Sequence, residues 1–69
     1  DMLQLHITLK ENNNKLIIYS TNGSQIFSKT YNVTGEINEF INISKLPSGI
    51  YFVQLKTPTE IINQKFIIY

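Results

Sequence analysis

Alternation constrains this chain more than any other feature. In MLQLHITL, residues 2–9, Leu3, Leu5, Ile7 and Leu9 fall on one side of an extended backbone and Gln4, His6 and Thr8 on the other. A period of two belongs to a strand with one buried face, because successive side chains leave the pleat in opposite directions. The same character returns after each polar break. KENNN at 10–14 yields to KLIIYS at 15–20, TNGS to QIFSKTY at 25–31, and NVTG to EINEFINI at 36–43. SKLPSG then leads into IYFVQLK at 50–56, and TPTE into IINQKFIIY at 61–69. Six strands spaced about ten residues apart, with no helical period between them, predict a small antiparallel β-sandwich.

Two turns carry the sharpest local signals. Asn22-Gly23 readily takes the positive φ values of a tight hairpin, so 25–31 is expected to run back against 15–20. Pro47 and Gly49 force a corner ahead of the fifth strand: proline fixes φ, and glycine reaches angles closed to other residues. From that corner Tyr51, Val53 and Leu55 point to one face and Ile50 and Phe52 to the other. Pro58 ends the strand, since it cannot donate to a ladder.

A chain of 69 residues makes one domain, spanning 1–69, and at this size folding buries only about 60% of the unfolded surface. Net stability on the usual per-residue scale is ~3 to 10 kcal/mol, which leaves little room for strained catalytic geometry. With no cysteine and one histidine, disulfides, thiolate metal sites and histidine clusters are excluded. The formal charge is +1, the lysines (10, 15, 29, 45, 56 and 65) are dispersed, and arginine is absent. Attraction to nucleic acid is therefore weak, with no bidentate reader of phosphates or guanines, and nucleic acid is not expected as a partner. No apolar run approaches the roughly 20 residues of a transmembrane helix. The opening residues lack the basic-then-apolar order of a secretory signal. A start inside a strand pattern, without an initiator methionine, reads as a piece of a longer chain.

Nothing in the chain assembles catalytic chemistry. Four of the five acids, Asp1, Glu11, Glu36 and Glu60, sit at loops or strand ends. Glu39 shares the side of Ile37 and Ile41 and reads as an edge-strand charge that discourages unwanted pairing. His6 reads as a solvated surface residue. The five serines have one histidine among them and no Gly-x-Ser-x-Gly elbow, and no carboxylates cluster to hold a metal. Neither an enzyme nor a cofactor is expected. The eight aromatics sit mostly within alternating strands, which favours core packing over a sugar-stacking platform. Asn-x-Ser/Thr triplets at Asn22, Asn32 and Asn42 arise readily in a chain so rich in asparagine.

The order KLIIYSTNGSQIFSKTY, INISKLPSGIYFVQLK, NQKFIIY resembles the C-terminal sorting domain, type A, of proteins exported by the type IX (Por) secretion system of Bacteroidetes. Three features carry the likeness across essentially all 69 residues. Ile18-Tyr19 precedes the Asn22-Gly23 turn; Leu46-Pro47-Ser48-Gly49-Ile50-Tyr51 follows Ile41-Asn42-Ile43; and Lys65 precedes Phe66-Ile67 in the last strand. Asp1-Met2-Leu3-Gln4-Leu5 is similar to the strand that opens such domains. Two departures are the absence of an Asn-Pro lead-in and an ending in Tyr69 instead of lysine or arginine.

The resemblance implies an immunoglobulin-like β-sandwich of six to seven strands, cut from a longer secreted protein and not itself catalytic. It implies a signal that takes an upstream cargo through periplasm and outer membrane to the cell surface or medium, followed by cleavage or anchoring. The implied partners are the type IX machinery, including its outer-membrane shuttle and sortase-like components. Gly49, Tyr51 and Lys65 are the matching positions expected to carry recognition, while Asn22, Gly23, Pro47 and Gly49 shape the turns. Exposed strand edges and the apolar end FIIY lead us to expect a weak homodimer. The rival expectation is an immunoglobulin- or fibronectin-like accessory module that binds glycan or spaces other domains.

Overall fold

The computed structural model describes residues 2–69; Asp1, the first residue of the expected opening strand, lies outside them. Six strands follow one another: β1 (Met2–Leu9), β2 (Asn14–Ser20), β3 (Gln25–Tyr31), β4 (Gly35–Asn42), β5 (Gly49–Lys56) and β6 (Ile61–Ile68). Each predicted strand is present, with bounds moved by a residue where glycine or asparagine extends the pairing. All pairings are antiparallel. β1 and β4 form a two-stranded sheet that covers part of a four-stranded sheet of order β3-β2-β5-β6.

The connections explain this arrangement. Short turns at 21–24 and 57–60 keep neighbouring strands in one sheet, whereas segments 10–13, 32–34 and 43–48 each carry the chain from one sheet to the other. In the first crossing Asn13 takes φ +65°, a left-handed conformation that asparagine tolerates better than most residues. The next side chain, Asn14, is fully buried and donates from Nδ2 to the Glu11 carbonyl at 2.5 Å, closing the turn.

At the β2–β3 hairpin the Gly23 amide donates to the Ser20 carbonyl at 3.0 Å and Gly23 takes φ +87°. Asn22 does not share the positive φ expected of it. It acts through its side chain, whose Oδ1 accepts from the Ser20 hydroxyl and from the Ser24 amide. A register shift follows between Ile18 and Tyr19, with Ile26 as the extra residue on β3.

Alternation then delivers the core. Leu9, Leu16, Ile18, Tyr31, Ile41 and Val53 are buried between the sheets, flanked by half-buried Leu3, Leu5, Ile7, Phe27 and Phe66. Complete burial of a side chain such as Leu16 or Ile18 stabilises by about 1.5–3 kcal/mol. Because two strands cannot roof four, a groove of about 250 Å³ remains beside β1, its walls including Leu5, Ile7, Leu55 and Ile62.

Candidate recognition surface

The sequence locates the strongest signal at the corner before β5, and the structure shows how that corner is built. Asn42 Oδ1 accepts from the Ser44 amide at 3.0 Å and the Ser44 hydroxyl at 2.7 Å, and the Leu46 amide donates to the Ile43 carbonyl at 3.1 Å. The chain then passes through Pro47 to Gly49, which takes φ +150°. An added Cβ there meets no atom within 4 Å, so backbone conformation alone demands glycine. Two residues later the Tyr51 hydroxyl donates back to the Pro47 carbonyl at 2.6 Å. A tyrosine near a strand start that ties back a few residues upstream is the corner device of Greek-key sandwiches.

The corner is braced to the last strand. Tyr51 is only 5% exposed and stacks on Phe66 of β6, ring centroids 5.6 Å apart, while Gly49 pairs in register with Ile68. The structure thus unites Gly49, Tyr51 and the end of β6. It places Lys65 apart from them, on the outer face of the sheet opposite Phe52. Phe52 in turn stacks on Tyr19 at 5.5 Å. With Tyr51 buried, its part is to hold the corner; Gly49 is exposed but offers only backbone, and Lys65 carries the exposed side chain of the three.

Core packing accounts for half of the aromatics. Tyr31 and Tyr51 are buried and Phe27 and Phe66 are half-buried against the core, but Tyr19 and Phe52 lie on the outer face of the large sheet. Phe40 and Tyr69 are exposed.

Glu39 corrects a second expectation. β4 is an edge strand, yet Glu39 points inward, its side chain 14% exposed, and its carboxylate meets Lys29 Nζ at 3.0 Å and accepts from the Tyr31 hydroxyl. Both partners come from β3 in the other sheet, so the acid bridges the sandwich instead of guarding an edge. The Tyr31 hydrogen bond holds the Glu39 carboxyl below its ordinary range, assisted by Lys29 and opposed by burial. Burial first, then the same hydrogen bond and charge, pushes the Tyr31 phenol upward. Lys29 also lies 5.4 Å from the Tyr31 ring centroid, a cation–π contact. On the opposite surface of the small sheet, His6 and Glu36 pair at 2.6 Å, both exposed. Among the described residues no group of three His, Cys, Asp or Glu side chains gathers to hold a metal.

The corner before β5 is thus closed by a hydrogen bond and tied to β6 by a ring stack and ladder pairing. The family model for the secretion system C-terminal sorting domain matches residues 2–69. The chain belongs to that family. The sorting domain is thus a C-terminal signal of the type IX system, a family of export signals and not of enzymes, and it implies a secreted or cell-surface destination. No curated protein and no solved structure matches it.

Proposed function

We propose that the sorting domain directs an upstream cargo from the periplasm across the outer membrane by presenting the braced corner and β6 as one rigid surface to the type IX machinery. An outer-membrane shuttle engages the folded domain, and a sortase-like peptidase then releases the cargo or anchors it at the surface. The observation that carries this reading is the family match over residues 2–69. The Tyr51–Phe66 stack and the Tyr51–Pro47 hydrogen bond supply the rigidity that such reading needs. Gly49 and Tyr51 act by positioning, and Lys65 by contact.

The test is a periplasm-directed reporter joined to residues 1–69 in a type IX-competent bacterium. The wild-type fusion is expected outside the cell and Lys65→Glu is expected to retain reporter in the periplasm. Export of Lys65→Glu at the wild-type level would remove Lys65 from the contact surface. Retention of the wild-type fusion would favour the accessory-module reading, for which the Tyr19–Phe52 platform is the sugar-stacking candidate.

A further inference from the structure

The outer face of the four-stranded sheet carries charge of one sign. Register sets Lys15 of β2 directly opposite Lys56 of β5, and sets Lys65 of β6 beside Phe52 four residues along. Among the described residues none of these three lysines is ion-paired, since the ion pairs are His6–Glu36 and Lys29–Glu39. Among the described residues no acidic side chain shares the face: Glu36 and Glu39 belong to the other sheet, and Glu11 and Glu60 to loops. Like charges directly opposite one another weaken a sheet by about 0.2–1 kcal/mol. Folding therefore gives no reason for a Lys15–Lys56 pair.

Between the charges the face is apolar and amide-bearing. The Tyr19–Phe52 stack lies at its centre, Ile50 and Ile67 pair beside it, each more than 40% exposed, and Gln54 donates to Asn63 at 3.1 Å. We propose that this face docks on an acidic, partly apolar protein surface of the export machinery, whose carboxylates meet Lys15, Lys56 and Lys65 around the Tyr19–Phe52 stack. The inference rests on the sorting reading above and adds the partner's chemistry.

Charge complementarity and size both favour a protein over a membrane. Three lysines near an anionic bilayer supply about 1 kcal/mol each, a weak hold for a domain of net charge +1. The Gln54–Asn63 amides, moreover, ask for hydrogen-bonding partners that an acyl layer lacks. Strands about 4.8 Å apart and 3.3 Å per residue make this face roughly 500 Å². That is the low end for protein–protein contact, suited to docking that is made and then released.

The experiment uses the reporter fusion with Lys15→Glu and Lys56→Glu together, a reversal that keeps a like-charged pair and so holds cross-strand repulsion constant. Its control, Lys10→Glu with Asn32→Asp and Thr34→Glu, changes net charge equally at exposed positions away from the face. The expected result is a fall of about tenfold in exported reporter for the face variant, near-wild-type export for the control, and unchanged thermal unfolding of both 69-residue domains. Wild-type export by the face variant overturns the proposal and leaves the sorting reading standing. Failure of the wild-type fusion instead sinks the sorting reading itself. If the reversal lowers the melting temperature, Lys15→Gln with Lys56→Gln removes the charge without adding any and repeats the same comparison. Vesicles of phosphatidylglycerol form the second arm: binding of the 69-residue domain that the face variant loses would overturn the protein partner in favour of a membrane.

Discussion

Glu39 of β4 reaches across the sandwich to Lys29 of β3, carboxylate to ammonium at 3.0 Å, and accepts the Tyr31 hydroxyl on the same oxygen. Half-buried between two sheets, this is the one place where the described residues join the layers by charge. Its protonation is therefore linked to folding.

Glu39 sits below its ordinary value near 4.5 in the folded chain. Its contribution is present above that value and is lost as pH falls through the folded one. Tyr31 is raised above its ordinary 10.0, so its contribution is present below 10 and fades as pH climbs beyond it. Urea midpoints across the pH range are expected to fall at both ends. Glu39→Gln flattens the acid limb and lowers neutral stability by about 1–3 kcal/mol, since it weakens the hold on Lys29 and Tyr31. An unaltered acid limb in Glu39→Gln would contradict this linkage.

Tyr51→Phe removes the hydroxyl that holds Pro47 and leaves the Phe66 stack. A loss of about 0.5–1.5 kcal/mol is expected, or about 4–8 °C of melting temperature per kcal/mol in a domain of this size, with faster protease cleavage within 43–48. Gly49→Ala meets no steric neighbour, so its loss of about 1–3 kcal/mol is conformational. Calorimetry on both variants reads these effects.

Ile18 is 1% exposed and Ile61 56%. Ile18→Ala is expected to lose about 2–5 kcal/mol, enough to populate the unfolded state of a small domain, whereas Ile61→Ala stays within about 0.5 kcal/mol. Denaturant titration separates the two; equal losses would mean that the core is drawn in the wrong place.

β6 is paired on one side by β5 and forms an edge of the large sheet, with Ile61, Ile62 and Ile67 exposed. Such an edge favours pairing with a second copy. Light scattering is expected to show apparent mass rising toward millimolar protein, and Ile62→Lys to suppress the rise. A flat monomeric profile would remove the homodimer.

Local rules made much of this fold legible. Strict alternation in residues 2–9 and 50–56 revealed which faces are buried, and Pro47, Gly49 and Pro58 marked where strands begin and end. The candidate recognition surface was less legible because it depends on which strands become neighbours. Nothing near Tyr19 announces Phe52, since the β2–β5 pairing joins residues brought together by two sheet crossings. The same holds for Lys15 and Lys56. Parity placed Glu39 on the inner side of its strand, but its partners Lys29 and Tyr31 lie across a gap that the 32–34 crossing creates. Asn22 was misread in its backbone and not in its place, because its side chain supplies the turn that a positive φ was expected to supply.

The central claim is that these 69 residues are sufficient as an export address. The most direct measurement is the location of a periplasm-directed reporter carrying them in two otherwise identical strains, one with an intact type IX translocon and one without. The account predicts reporter at the surface or in the medium of the first strain and confined to the periplasm of the second. Equal distribution in the two strains would contradict it.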